Sequence, residues 1–194
     1  MASDGCSAIV YVVDDDPDLA GSVARLLVRH GHRAEPFLDP ALLLNVEGPE
    51  HAECIVTDVM MGDMNGFDFA ERVRARNPAV ALIFMTAWPT TANAVDSVRL
   101  YGGLDYLEKP IDEARLLKAV GEGAAWSRTQ RAAIGRLSRL SQRERDVFDL
   151  LIAGHPNKVI AARLGISPRT VEDHRAAIMA KTGANGLAQL IALA

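Results

Sequence analysis

Carboxylate, hydroxyl and ammonium side chains stand at the ends of several apolar segments in this 194-residue chain. They belong to Asp14, Asp15, Asp16, Asp58, Thr86 and Lys109. Carboxylates that are held together repel one another and stay ionised beside a cation, and Mg²⁺ prefers oxygen ligands of this kind. A divalent ion, a nucleophilic aspartate, a lysine and a hydroxyl are what the transfer of a phosphoryl group onto a carboxylate requires.

Simpler interpretations exist for each of these residues. Asp16 precedes Pro17, and we expect it to be the N-cap of a helix. A single aspartate after a strand is commonly a turn residue, and Lys109 before Pro110 would only mark the end of an element. The joint occurrence of these groups at successive segment ends favours the chemical interpretation.

The segments that carry these residues have the pattern of buried parallel strands. We predict strands at 8–13, 33–37, 53–57, 80–86 and 104–107. The fully apolar ones lack period-2 alternation, as expected for strands that are buried on both faces. Between the strands, apolar side chains recur at helical spacing, as in Leu19 with Val23, Phe69 with Val73, and Val95 with Val98. This alternation predicts an α/β doubly wound five-stranded parallel sheet, in which the carboxyl ends of the strands meet at one edge.

The C-terminal part of the chain has an entirely helical pattern. We predict four helices, over QRERDVFDLLIA, NKVIAARL, the segment from Pro168 to about Lys181, and residues 186–193. Gly154 and Gly165 end the first two, and Ser167 is a natural N-cap for the third. The second and third helices have the spacing of a helix-turn-helix, whose second helix enters the major groove of DNA.

Two faces are expected on this helix-turn-helix. The packing residues are Val159, Ile160, Leu164, Ile166, Val171 and Ile178. The outer face of the second helix carries Arg169, Thr170, Asp173, His174, Arg175 and Lys181, which can reach phosphates or base edges. His174 is equally compatible with a packed position and with a DNA contact.

The net charge of −4 is unevenly distributed along the chain. Residues 1–123 carry −10 and residues 124–194 carry +6. This asymmetry indicates two parts with different partners, the second of them nucleic acid, although chance unevenness of surface charge is the alternative.

Composition narrows the cellular context. No apolar run approaches the ~18 residues that a spanning helix needs, so we expect no membrane partner. The N-terminal residues are not typical of a signal peptide. Cys6 and Cys54 stand among apolar residues and are expected to be reduced and packed, in a cytoplasmic protein.

The first part of the chain resembles the receiver domain of two-component response regulators. The motifs are VVDDDPDL, TDVMMGDMNG, MTA and DYLEKP, in the order and spacing of that family. The resemblance implies Asp58 as phosphoacceptor and a Mg²⁺ site formed by Asp14, Asp15, Asp58 and the backbone carbonyl of Met60. It also implies that Thr86, Tyr106 and Lys109 are the catalytic and switch residues. Gly62 departs from the family pattern, which usually has proline there.

The helical part resembles the LuxR-type DNA-binding domain of the NarL/FixJ family and is closest to the FixJ branch. LSQRERDV, NKVIAARLGIS and SPRTVEDHR carry this resemblance. The expected DNA-binding residues are Asn157, Lys158, Arg169, Thr170, Glu172, Asp173, His174, Arg175 and Lys181. Glu172 and Asp173 repel phosphates, but a glutamate can accept from a cytosine amino group, so these acids are expected to select sequence.

Together the two resemblances imply a response regulator with three parts. These are a CheY-like receiver domain at 1–122, a helical linker at 123–136 and a LuxR-type helix-turn-helix domain at 137–194. A sensor histidine kinase is expected to phosphorylate Asp58, after which a homodimer binds promoter DNA and works with RNA polymerase. The protein is then no enzyme, since it catalyses only its own phosphorylation and dephosphorylation.

Two other functions remain open from the sequence. A Mg²⁺-dependent phosphatase acting through an aspartyl-phosphate would use the same groups, but it needs a second acid two residues after Asp58, where Met60 stands. A receiver that acts only through protein contacts would leave the basic C-terminal part unexplained.

Overall fold

A computed structural model of the chain describes residues 7–45, 49–62 and 64–194. Its five strands are β1 (Ile9–Val13), β2 (Arg33–Phe37), β3 (Cys54–Asp58), β4 (Ala81–Thr86) and β5 (Asp105–Glu108). All neighbours are parallel, in the order β2-β1-β3-β4-β5. The predicted doubly wound sheet is therefore confirmed. Strands β3 and β4 lie in its interior and are buried along their whole length, which accounts for the apolar runs at 54–56 and 81–85.

Helices connect the strands and cover both faces of the sheet. They are α1 (Pro17–Arg29), α2 (Pro40–Asn45), α3 (Gly66–Arg76), α4 (Thr91–Arg99) and α5 (Glu113–Leu137). One apolar cluster joins α1 and α5 to one face, and a second joins α2 and α3 to the other. Asp16 is the N-cap of α1, as expected, because its side chain accepts hydrogen bonds from the amides of Asp18 and Leu19.

Helix α4 does not have the buried apolar face that its spacing predicts. Val95 and Val98 are 44% and 56% exposed, whereas the buried residue of this helix is Ser97. The Ser97 hydroxyl donates to the carbonyl of Ala94, so a small self-satisfied polar residue packs inward and the two valines face outward. The two valines lie on one helix, as their spacing predicts, but this side of α4 is exposed.

Cys54 agrees with the expectation of a reduced, packed cysteine. Its thiol is free and fully buried at the start of β3, and burial strongly raises its pKa. Cys6 lies outside the described residues. No helix in the described part of the chain is both long and apolar enough to span a membrane.

The described residues separate into two compact units, with the boundary between Arg128 and Thr129. Beyond α5, the second unit contains α6 (Gln142–Ile152), α7 (Asn157–Leu164), α8 (Pro168–Thr182) and α9 (Leu187–Ile191), the four helices that the sequence predicts. Ile160, Val171 and Ile178 are buried in its core, with Leu164 and Ile166 packed against them. Val159 was expected there but is 37% exposed.

Gly123 and Gly121 lie one half-turn apart on α5, in contrasting surroundings. A Cβ atom on Gly123 would lie 3.0 Å from the Ala81 Cβ and 3.3 Å from the Cys54 Sγ, so the absence of a side chain lets the helix approach the sheet. A Cβ atom on Gly121 would face open space. The same substitution at the two positions therefore separates helix propensity from packing.

We predict that Gly121→Ala raises the free energy of unfolding by up to about 1 kcal/mol, because alanine is the better helix former. Gly123→Ala should raise the free energy of unfolding less than this, or lower it, because Ala81 and Cys54 must shift. Urea unfolding of the full chain measures both. Equal stabilisation by the two substitutions would contradict the close approach of α5 to the sheet.

Candidate functional site

The carboxyl edge of the sheet brings together the groups that the sequence indicated. Asp14 directly follows β1, Asp58 ends β3, Thr86 ends β4 and Lys109 directly follows β5. Asp14, Asp58 and Thr86 are buried, whereas Asp15 is exposed. The backbone amide of Lys109 donates to the carbonyl of Thr86 at 2.8 Å, which continues the β4–β5 pairing and fixes where the lysine starts.

Three carboxylates in this edge form a group suited to a metal ion. One oxygen each from Asp14, Asp15 and Asp58 lies within 4.8 Å of the others. The Asp58 Oδ1 is buried and has no hydrogen-bond partner among the described residues. A buried carboxylate oxygen without a donor is costly unless a cation or a donor reaches it, and oxygen-only ligands suit Mg²⁺. The residues therefore fit a hard divalent cation.

Lys109 supplies the positive charge that the group contains. Its Nζ donates to the Asp14 Oδ2 and to the Asp58 Oδ2, at 2.8 Å each. Burial alone would lower the pKa of Lys109, but the hydrogen bonds to both carboxylates outweigh it and raise the pKa. Burial raises the pKa of Asp14 although Lys109 and the Asp16 amide oppose this. Among the described residues, one ammonium thus binds two of the three carboxylates, and the group remains short of positive charge.

The two predicted switch residues, Thr86 and Tyr106, occupy neighbouring strands. The Thr86 hydroxyl oxygen accepts a hydrogen bond from the Trp88 amide at 3.1 Å. Tyr106 pairs with Phe84 in the β4–β5 register, and its hydroxyl is buried without a partner in the described part of the chain. A buried phenol lacking a partner is poised to gain one if the loops around it rearrange. Their roles as switch residues stay predictions, as does metal binding by the Met60 carbonyl.

Gly66 is a residue that the sequence reasoning missed. It begins α3 after the N-cap Asn65, and its amide donates to the Val59 carbonyl at 2.9 Å. A Cβ atom at this position would lie 2.1 Å from the backbone oxygen of Asp58, so only glycine allows α3 to begin this close to the backbone of Asp58. The sequence did offer one signal: a glycine, which is a poor helix former, stands at the first position of this helix and therefore indicates a close approach of the backbone.

In the second unit, α7 and α8 form the predicted helix-turn-helix. Gly165 adopts a left-handed conformation, with φ of 65°, and ends α7. Ser167 caps α8 by accepting from the Thr170 amide at 3.0 Å, and Pro168 occupies the first turn. Three residues of turn thus separate two helices that pack on one core.

Five of the nine predicted DNA-binding residues are exposed. They are Lys158, Arg169, Glu172, Asp173 and Lys181. The Arg169 guanidinium lies 3.6 Å from the Glu172 carboxylate and 3.7 Å from the Asp173 carboxylate, although its side chain remains 81% exposed. The acids on this face are therefore partly neutralised by their own helix, and exposed pairs of this kind are weak enough to exchange for a phosphate.

Four others are half-buried and already have structural neighbours. Arg175 donates from Nη1 to the Asn157 Oδ1 at 2.7 Å, which joins α8 to the start of α7. Thr170 shares a hydrogen bond with Ser167. His174 is half-buried, so both interpretations given for it above stay open.

Lys181 is exposed but already forms an ion pair within the protein. Its Nζ donates to both carboxylate oxygens of Glu144, at 2.8 and 2.6 Å, and Glu144 is buried in α6. The same glutamate accepts from the Ser141 amide and completes a capping box. A DNA contact by Lys181 therefore has to compete with this ion pair, which the sequence did not reveal.

The chain matches two protein-family models in succession. Residues 10–121 match the response regulator receiver domain, and residues 138–194 match the bacterial regulatory proteins of the luxR family. The chain is a response regulator. Its receiver and LuxR-type domains place it with the transcriptional response regulators of two-component systems, in the NarL/FixJ family.

Relatives of this response regulator share the same organisation along nearly their whole length. It is 40% identical to the transcriptional regulatory protein FixJ of Azorhizobium caulinodans over 192 residues, which is 95% of this chain and 90% of that protein. It is 33% identical to the crystal structure of full-length FixJ from B. japonicum, covering 96% and 95% of the two chains with a TM-score of 0.57. The response regulator StyR is also 33% identical, over 97% and 98% of the chains, with a TM-score of 0.56.

The ion pair between Glu144 and Lys181 is expected to make the stability of the second unit depend on pH. Hydrogen bonds from Lys181 and then from the Ser141 amide lower the pKa of Glu144 to about 2. A carboxylate whose folded pKa is depressed stabilises the fold above its unfolded pKa of about 4.3, and this contribution is lost as the pH falls from there toward 2.

We predict that Glu144→Gln weakens amide protection in α6 and α8 at pH 7, and that the difference from the natural protein shrinks as the pH falls below about 4.3. Hydrogen exchange of the full chain at pH 7, 5, 4 and 3 measures this. Asp149→Asn, an exposed acid on the same helix, is the control and should show no such trend. A difference that stays constant to pH 3 would contradict the ion-pair assignment.

Proposed function

We propose that a sensor histidine kinase transfers a phosphoryl group to Asp58 and that this controls the binding of promoter DNA by the helix-turn-helix. The observation that carries the proposal is the environment of the Asp58 carboxylate. Its Oδ2 accepts from Lys109, whereas its buried Oδ1 has no partner among the described residues and lies beside two further carboxylates.

In this mechanism the Asp58 carboxylate is the nucleophile. One of its oxygens forms a bond to phosphorus while the bond between phosphorus and the imidazole nitrogen of the kinase phosphohistidine breaks, and the imidazole leaves. Lys109 neutralises a phosphoryl oxygen, and the Thr86 hydroxyl, whose oxygen accepts from the Trp88 amide, donates its hydrogen to the phosphoryl group. Tyr106 then turns as the space beside Thr86 changes.

A Mg²⁺ ion would be held by Asp14, Asp15, Asp58 and the Met60 carbonyl, and it would neutralise charge on the transferred group. The buried position of Asp14 and Asp58 keeps water away from two of these ligands. The shortage of positive charge around Lys109 supports this assignment.

We infer that the chemistry is limited to the phosphorylation and dephosphorylation of the chain itself. A phosphatase that turns over external esters needs an acid to protonate the leaving group, and the residue two positions after Asp58 is Met60, which has no proton to give. Membership in a family of transcription regulators supports the same conclusion.

For the second unit we propose that α8 enters the major groove, with Lys158 and Arg169 on phosphates and Glu172 and Asp173 near base edges. Asn157 would orient Arg175 toward the DNA. We further propose a homodimer on phosphorylation, contact with RNA polymerase and a cytoplasmic location, where promoter DNA lies. The functional boundaries proposed are 1–122, 123–136 and 137–194.

We predict that Asp58→Asn abolishes labelling by acetyl phosphate in the presence of Mg²⁺, because the amide has no anionic oxygen to attack phosphorus. Intact-protein mass spectrometry measures the added phosphoryl group. Asp96→Asn, which changes an exposed acid in α4, should be labelled normally. Labelling of the Asp58→Asn protein at another residue would contradict the assignment.

Gly66→Ala extends the same experiment to the backbone that supports Asp58. A Cβ atom there displaces the Asp58 backbone while leaving every reacting side chain chemically unchanged, so labelling should slow markedly. Gly121→Ala, the same substitution where space is open, is the matched control. A melting curve for each protein separates slowed chemistry from loss of the fold.

We predict that Arg169→Ala lowers the affinity for DNA selected by the full chain from a random pool. The log–log dependence of affinity on salt should become shallower by roughly 1 if Arg169 contacts a phosphate. Arg33→Ala, an exposed arginine on β2, should leave both quantities unchanged. An unaltered affinity for Arg169→Ala would reject this face of α8 as the DNA-binding surface.

A further inference from the structure

Arg74, in α3, makes two contacts that the proposed function does not use. Its Nη2 donates to the Gly102 carbonyl at 2.7 Å, and its guanidinium carbon lies 5.7 Å from the centroid of the Trp126 ring. Its Nε is buried without a hydrogen-bond partner in the described part of the chain, and burial lowers its pKa. A half-buried arginine of this kind is held by few partners, so each of them matters to its position.

These contacts lie at the edge of the sheet opposite the carboxylates. Gly102 stands shortly before β5, and Trp126 follows the part of α5 in which Gly123 approaches Ala81 and Cys54, the first residues of β4 and β3. Arg74 therefore bridges the connection that enters β5 and the segment of α5 that leaves the sheet.

The connection before β5 is packed too closely to move alone. Gly102 has a positive φ of 63°, and a Cβ atom on it would lie 2.8 Å from the Arg74 guanidinium carbon. A Cβ atom on the next residue, Gly103, would lie 2.8 Å from the Phe84 ring. Movement of this connection must consequently displace the Arg74 guanidinium.

Strand β5 joins the connection at Gly102 and Gly103 to the edge of the sheet that carries the carboxylates. It is a four-residue edge strand that pairs only with β4, so fewer backbone bonds hold it than hold the interior strands. Lys109 at its carboxyl end donates to Asp58, and Gly102 before its amino end accepts from Arg74. A phosphoryl group on Asp58 changes what Lys109 binds, and hence the force on one end of β5.

Trp126 is well placed to pass a displacement along α5. Its ring packs against the cluster between α1, α5 and the sheet, and two residues later Arg128 binds Glu53, with Nε and Oε1 2.7 Å apart. From there α5 continues to Leu137 as one helix. Trp126 and Arg128 therefore hold this segment of α5 against the first unit.

We propose that Arg74 is a positioning residue that couples β5 to the outgoing segment of α5, so that phosphorylation at Asp58 changes the environment of Trp126. The coupling rests on the proposed function, because it needs a phosphoryl group at Asp58. Lys109, β5, Gly102, Arg74 and Trp126 form the contiguous path, and the element with two arrangements is the connection before β5.

Fluorine NMR of the full chain labelled with 5-fluorotryptophan tests the proposal directly. The chain contains two tryptophans, Trp88 and Trp126, so two resonances are expected. Trp88 is joined through its amide to Thr86, beside Asp58, and reports phosphorylation itself. Trp126 reports the coupling. Spectra are recorded with Mg²⁺, before and after acetyl phosphate.

We expect both resonances to shift on phosphorylation of the natural sequence. Arg74→Met, which keeps the length of the side chain but removes the hydrogen bond and the charge, should retain the Trp88 shift and lose the Trp126 shift. Arg72→Met, an exposed arginine on the same helix, should retain both. A purely structural role for Arg74 would alter the starting position of the Trp126 resonance but not its response.

The possible failures are distinguishable. A Trp88 shift with a stationary Trp126 in the natural sequence overturns the coupling and leaves the proposed function intact, and this result needs no substitution, so it holds even if Arg74→Met does not fold. An undiminished Trp126 shift in Arg74→Met also overturns the coupling. If neither tryptophan responds, the proposed function at Asp58 fails, and the coupling fails with it.

Discussion

The ammonium of Lys109, held between the carboxylates of Asp14 and Asp58, is the interaction on which the rest of the receiver unit depends. Two buried carboxylates on the adjacent strands β1 and β3 would repel each other, and removing them from water costs several kcal/mol per charge. The lysine offsets that repulsion, but it comes from β5, two strands away from β3. The sheet order therefore brings together at one edge charges that lie 51 and 95 residues apart along the chain.

In the second unit, the buried and the exposed charges are paired in different ways. Its only described buried carboxylate, Glu144, is fully engaged by Lys181 and by the Ser141 amide, whereas the charges on the outer face of α8 interact loosely with one another. A tight pair fixes α8 against α6, and loose pairs leave its surface able to exchange partners at little energetic cost. A helix that is rigidly placed but carries exchangeable surface charges is suited to binding DNA. Its orientation is set before its side chains contact the phosphates.

Much of the fold and of the acidic site could be predicted from the sequence. Both follow from local sequence patterns combined with one rule of sheet topology, that the carboxyl ends of parallel strands lie at the same edge. Apolar runs without alternation indicate the parallel strands, and a parallel sheet brings their carboxyl ends together, which is enough to gather Asp14, Asp58, Thr86 and Lys109. Periodicity cannot say what covers a face: Val95 and Val98 lie on one helix but are exposed, and Val159 is exposed where packing was expected. The role of Gly66 and the ion pair of Lys181 were not foreseen for another reason: their partners, the Asp58 carbonyl and Glu144, are not neighbours in sequence.

Strand β5 lies at an edge of the sheet, where fewer backbone hydrogen bonds hold a strand than in the interior. An interior strand is held by two neighbours and cannot shift without breaking two sets of backbone bonds, whereas β5 has β4 alone. Cations lie at both of its ends: Lys109 binds the carboxylates of Asp14 and Asp58, and Arg74 of α3 binds the Gly102 carbonyl. Charged hydrogen bonds are among the stronger contacts in a protein, so these contacts add to the pairing with β4 and to the bond from Arg115 to the Tyr106 carbonyl. A change in charge at one end then has a short path to the other, and this asymmetry between edge and interior strands is the physical basis of the coupling that we propose between Asp58 and Trp126.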